Sequence, residues 1–179
     1  VLNRNNIEHE IDKILETVHV LDYDIELVLS VKGQTGSFAV SVSINDRPVY
    51  NECPQDGDIP VTTSVNVPAG GEIKLAAITE THRHGQHAVV AGLKINRVDL
   101  IKHNLWIMDG QRFTHRDGKI EERCNGLYHN GTWSLTMPSP LFPWIKQERD
   151  KRSKVSYPDH LDFGINGDEY YRLLDQMFR

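Results

Sequence analysis

The chain has 179 residues, 39% hydrophobic and 25% charged, with 20 Lys and Arg against 25 Asp and Glu for a formal net charge of −5. That composition supports one domain with a substantial core and excludes a globally basic protein held to nucleic acid by phosphate neutralisation. No apolar run reaches the roughly 20 residues of a membrane helix, and two cysteines, Cys53 and Cys124, are too few for a disulfide framework or a thiolate zinc site.

Near the start, Ile7, Ile11, Ile14 and Val18 recur at helical spacing, with Asn5 or Asn6 as cap and Glu8 and Glu10 in the first turn. This predicts a helix over residues 1–20. Past His19 the period becomes two. Ile25, Leu27, Leu29 and Val31 alternate with Glu26 and Ser30, and Phe38, Val40, Val42 and Ile44 alternate with small or polar residues up to a turn at Asn45-Asp46. Residues 54–60 (PQDGDIP) form a loop. Val61, Thr63, Val65 and Val67 make another half-buried strand, followed by Ile73, Leu75 and Ala77. Val89, Ala91, Leu93 and Ile95 open a strand that the pattern carries on through Val98, Leu100 and Ile101. No helical period interrupts these segments, which predicts an all-β, antiparallel β-sandwich of the jelly-roll kind over residues 21–137.

Asp109-Gly110, Asp117-Gly118, Asn125-Gly126 and Asn130-Gly131 supply the positive φ angles of hairpin turns. They predict a meander with strands over residues 105–108, 111–115, 119–123 and 132–137. After Met137, three prolines and the run KQERDKRSK at 146–154 predict an extended Pro-rich and basic arm within residues 138–179. That run is locally +3, so the other 170 residues carry −8. A last helix is predicted from Tyr170, Leu174, Met177 and Phe178, with Asp168 and Glu169 at its start.

The densest set of possible ligands is His82, His84 and His87. Two imidazoles on one side of a strand and a third folding back could hold a divalent metal for a small metal-dependent enzyme, but the carboxylate that completes a His-x-His site is missing. The segment otherwise reads as a polar loop, and no cofactor is expected. Asp22 and Asp24 share a face but read as turn or solvated charge, and Glu121 and Glu122 point to opposite faces. His115-Arg116-Asp117 lacks every other kinase element, and no phosphate loop or nucleophile elbow occurs. Tyr128, Trp133, Phe142, Trp144 and Tyr157 could stack on sugar rings or fill the core.

Two family resemblances add to this. The runs FAVSVSINDRPV from Phe38, VNVPAGGEIKL from Val65 and LKINRVDL from Leu93 resemble the small calcium-dependent, xylan-binding jelly-roll carbohydrate-binding modules. That resemblance implies the fold, although Thr79-Glu80-Thr81-His82 stands where the family carries a calcium-binding acidic pair. The runs LYHNGTWSLT from Leu127 and PLFPWI from Pro140 are similar to segments of virion proteins of tailed bacteriophages with marine and cyanobacterial hosts.

Together these features lead to the expectation of a non-enzymatic structural protein of a phage particle, made in the host cytoplasm. It would assemble with other virion subunits as a homo-oligomer or hetero-assembly, with no membrane partner. Trp144, Ile145, Tyr170, Leu174, Met177 and Phe178 would be its apolar interface anchors, and Lys146, Arg149, Lys151 and Arg152 an electrostatic rim. The alternative is a module that recognises a host surface glycan.

Overall fold

The computed structural model describes residues 20–33, 38–80, 85–103, 105–127 and 130–153. The helix expected over residues 1–20 lies outside them except for Val20, as does the helix containing Tyr170, Leu174, Met177 and Phe178.

Among the described residues, eleven strands pair antiparallel in two sheets: β1 (Val20–Lys32), β2 (Ala39–Ile44), β3 (Arg47–Glu52), β4 (Gly57–Pro68), β5 (Glu72–Glu80), β6 (His87–Ile95), β7 (Val98–Asp99), β8 (Arg112–His115), β9 (Ile120–Glu122), β10 (Gly126–Leu127) and β11 (Gly131–Pro138). A short helix α1 (Leu100–His103) and a 3-10 turn (Leu105–Gly110) follow β7, and α2 (Leu141–Ser153) follows β11. The five-stranded sheet has the order β10-β6-β1-β4, with β7 on the same edge of β6 as β10, and the six-stranded sheet runs β3-β2-β5-β11-β8-β9. The sandwich predicted from alternation is therefore present, with β6 interior to its sheet.

Alternation explains the core. Tyr23, Ile25, Leu27, Leu29 and Val31 point inward from β1, and Val40, Val42, Ile44, Leu75, Trp133 and Leu135 meet them from the other sheet, all buried. Gly33 sits at φ +79 where the end of β1 meets the β5–β6 loop. A Cβ there would lie 2.3 Å from the Gly85 carbonyl oxygen, so only glycine fits.

Four expectations are corrected. The loop expected over residues 54–60 ends at Asp56, and Gly57 to Pro60 open β4. The strand expected at 105–108 is the 3-10 turn. The strand expected to run on to Ile101 stops at Ile95, where Asn96 and Arg97 take positive φ and reverse the chain into β7. The run expected as an extended basic arm is helical through Ser153. Pro143 falls in the first turn of α2, where the N–H that proline lacks would have no helical partner. Of the four turn dipeptides, only Asp117-Gly118 closes a tight hairpin, β8–β9; Asp109-Gly110 ends the 3-10 turn, and the other two lead into β10 and β11.

Residue 139 joins three parts of the fold. Its backbone N–H donates to the Gly71 carbonyl at 2.9 Å and its carbonyl accepts from Gly70 N–H at 2.8 Å. The Ser139 hydroxyl lies 3.0 Å from the Tyr23 phenol, which also accepts the Leu141 N–H at 3.1 Å. Burial is the main cause that pushes the Tyr23 phenol above its ordinary pKa, so it stays protonated. Replacing Tyr23 by Phe strands the Ser139 hydroxyl and the Leu141 N–H in the interior. A loss of about 1–3 kcal/mol is expected in urea unfolding, with the α2 amides losing hydrogen-exchange protection first.

On the β8–β9 hairpin, His115 Nε2 lies 2.9 Å and Lys119 Nζ 3.4 Å from Glu121 Oε1. Hydrogen bonding from His115, then from Lys119, holds the Glu121 carboxyl below its ordinary 4.5. A depressed carboxylate stabilises the fold above that ordinary value and loses the contribution as pH falls through the lowered one. Glu121→Gln is therefore expected to lower the melt slightly at pH 7, by no more than an exposed ion pair contributes, and to converge with wild type as pH falls below about 4.5, which flattens the acid limb.

Candidate functional site

The same alternation that fills the core projects a polar array from the opposite face of the five-stranded sheet. With Tyr23, Ile25 and Leu27 inward, Asp22, Asp24 and Glu26 point outward from β1. The carboxylates of Asp22 and Asp24, expected as turn residues or solvated charge, are thus exposed on strand β1. Register sets Asp22 opposite Asn66, Asp24 opposite Ser64, and Glu26 between Thr62 of β4 and Lys94 of β6. Asn66 Nδ2 donates to Asp22 Oδ1, and Ser64 Oγ donates to Asp24 Oδ1 at 2.5 Å. Lys94 Nζ donates to Glu26 Oε1 at 2.8 Å. Glu26, by that hydrogen bond and by its charge, raises the Lys94 pKa above its ordinary value, so the ion pair persists across neutral pH.

An open groove of about 470 Å³ crosses this face, lined by Asp24, Glu26, Thr62, Ser64, Lys94 and Arg97 among others. Arg97 reaches it from the Asn96-Arg97 turn, which is fastened to β1. Asn96 N–H donates to the Asp24 carbonyl at 2.8 Å, Asn96 Oδ1 accepts the Asp24 N–H at 2.7 Å, and Asn96 Nδ2 donates to the Asp22 carbonyl at 3.3 Å. Both turn residues are left-handed, φ 49° at Asn96 and 69° at Arg97. Asparagine tolerates that region, whereas a long side chain without local hydrogen bonding costs about 1 kcal/mol or more against glycine.

A second depression, about 370 Å³, lies between the β2–β3 and β4–β5 turns and is lined by Asn45, Asp46, Gly70, Gly71, Glu72 and Lys74. Its Asn45 amide is used structurally, accepting Lys74 N–H at 2.7 Å and donating to the Glu72 carbonyl at 3.1 Å.

The residues chosen from sequence fall elsewhere. His82 and His84 lie outside the described residues; His87 opens β6, half-buried, with Nδ1 3.2 Å from the Gly85 carbonyl. Among the described residues no group of three or more His, Cys, Asp or Glu could hold a metal ion. Ile145 is 3% exposed and packs in the chain's own core. Trp144 is half-buried against Trp106, ring centroids 5.3 Å apart, and the Arg152 guanidinium stacks 4.6 Å above Trp106. Lys151 pairs with Glu148 at 2.6 Å, and Lys146 and Arg149 are half-buried with intramolecular interactions of their own. Trp133 and Phe142 are buried, and Tyr128 and Tyr157 lie outside the described residues. Cys53 and Cys124 are both free thiols. The groove residues Thr62, Ser64 and Lys94 had one sequence signal, the outward half of each alternation, which does not say which strands are neighbours, and Arg97 sits in a turn that no sequence signal announced.

No family model matches the chain, and no curated protein matches it. Two solved structures are similar: the carbohydrate-binding module vCBM60 in complex with galactobiose, and a selenomethionine form of vCBM60 described as one of two families of calcium-dependent carbohydrate-binding modules linked by circular permutation. The first is 14% identical over 63% of this chain and 96% of that one, with a TM-score of 0.41. The second is 15% identical over 63% and 89%, with a TM-score of 0.40.

The Asn96 contacts carry a prediction. Asn96→Ala removes both side-chain bonds to β1 and the residue best suited to its φ. It is expected to lower stability by about 1–3 kcal/mol and to speed amide exchange at Asp24, read by NMR.

Proposed function

We propose that the chain is a glycan-recognising module and that the outer face of the five-stranded sheet holds the saccharide. The observation that carries this reading is the groove between β4, β1 and β6, where acceptors and donors alternate over a few ångströms of rigid strand. A sugar hydroxyl both donates and accepts, so it needs both kinds of partner within reach. Asp24 and Glu26 accept, Lys94 and Arg97 donate, and Thr62 and Ser64 do either. Strand residues held by cross-strand bonds lose little freedom when a ligand arrives, which spares affinity. A volume near 470 Å³ suits one or two sugar rings.

The test is a glycan array with the full chain, followed by titration of each hit. Asp24→Ala and Lys94→Ala are each expected to weaken binding by about tenfold or more while the protein stays folded. A blank array, or hits that both variants bind as wild type does, removes this reading. The second reading, assembly into a phage particle, draws on the exposed basic last turn of α2, Lys151 and Arg152. Sedimentation velocity separates the two: a defined oligomer supports assembly, and a monomer at micromolar concentration supports the groove.

A further inference from the structure

We infer that Arg97 is the specificity-determining residue of the groove and selects an uncharged saccharide with adjacent hydroxyls, an inference that rests on the groove being a saccharide site. Two independent observations converge on this residue. The first is conformational. The two-residue turns β2–β3 and β6–β7 both place positive φ at their central positions, and three of these four residues are Asn or Asp. The exception is Arg97, at the position where glycine relieves the strain of a type I′ turn. Strain of this kind persists where the surrounding structure imposes it, and the hydrogen bonds of Asn96 to β1 do so here.

The second observation is the state of the charged groups. Asp22 is bonded to Asn66, Asp24 to Ser64, and Glu26 to Lys94. Arg97 lines the same groove, and its guanidinium has no hydrogen bond or ion pair to any described residue. Among the described residues it is thus the groove cation with its donors uncommitted. Its planar fork offers parallel N–H donors, matched to two oxygens side by side. Asp24 keeps Oδ2 beyond its bond with Ser64, so the two hydroxyls that accept from Arg97 find a carboxylate to donate to.

The charge balance sets the ligand's class. Asp24 and Glu26 offset Lys94 and Arg97 along the lining, and Asp22 adds one further negative charge beside it. A uronate or sulfated sugar gains a pairing with Arg97 but meets the carboxylates of Asp22 and Asp24, whose partners are neutral. A neutral diol meets no such opposition.

The experiment compares wild type with Arg97→Gly and Arg97→Lys, each as the full chain, in thermal melts and in titrations of neutral oligosaccharides and their uronate-containing counterparts. Arg97→Gly is expected to raise Tm by about 2–4 °C while weakening neutral-glycan binding by about tenfold or more. Arg97→Lys keeps the charge and the strain but loses the fork, so Tm should hold while affinity falls several-fold. If wild type binds and Arg97→Gly binds within twofold of it, Arg97 is not the selector, although the groove reading stands. Preference for the uronate sugars overturns the neutral-diol assignment. An unchanged or lowered Tm for Arg97→Gly overturns the strain argument whatever the glycans show. If no saccharide binds wild type, the groove reading itself falls and takes this inference with it.

Discussion

The Tyr23 phenol links β1 to residues 116 and 118 positions further along the chain, Ser139 and Leu141. Ser139 also brackets the Gly70-Gly71 turn through its own N–H and carbonyl. One buried hydroxyl therefore binds the strand that carries the groove carboxylates to the start of α2, and, through Ser139, to the β4–β5 turn. Each bond adds only about 1 kcal/mol to net stability, but leaving any partner alone in the interior costs more. This closure ties β1 to α2 and the β4–β5 turn, while the ladders of β1 with β4 and β6 set the spacing of the groove.

The regular part of the fold was legible because each strand is half-buried, and a period of two is then written directly into the residues. The reading failed where local pattern and tertiary setting diverge. Val98, Leu100 and Ile101 continue an apolar rhythm, yet the chain reverses at Asn96-Arg97, whose dipeptide carries no glycine to announce a turn. Residues 105–108 are apolar enough for a strand but wind into a 3-10 turn. In α2 the prolines suggested irregular chain, although Pro143 occupies the one part of a helix that tolerates it. The groove was harder still. Asp22 and Asp24 were recognisable as sharing a face, but their partners Asn66 and Ser64 come from a strand about 40 residues away, and register is a property of the assembled sheet.

The aromatic and basic side chains that seemed suited to a neighbouring subunit show the opposite side of the same lesson. Ile145 enters the core, Trp144 leans on Trp106, and Arg152 covers that ring. A large apolar side chain gains as much from its own sandwich as from a partner, and the basic run gains the helix C-terminus, where cations are favoured. The charge asymmetry of the sequence is thus partly folded back onto the molecule.

The outward carboxylates of β1 have a consequence for folding as well as for binding. Asp22, Asp24 and Glu26 alternate with Tyr23, Ile25 and Leu27, so a slip of one residue in the pairing of β1 with β4 or β6 would exchange the two sets. Three carboxylates would enter the core at a desolvation cost far beyond any misregistered gain, and the three apolar side chains would face water. The polar row thereby guards the strand against its nearest wrong alignments, and a variant that made it apolar for tighter packing would lose discrimination among them. The ligand face and the fidelity of the sheet are specified by the same residues.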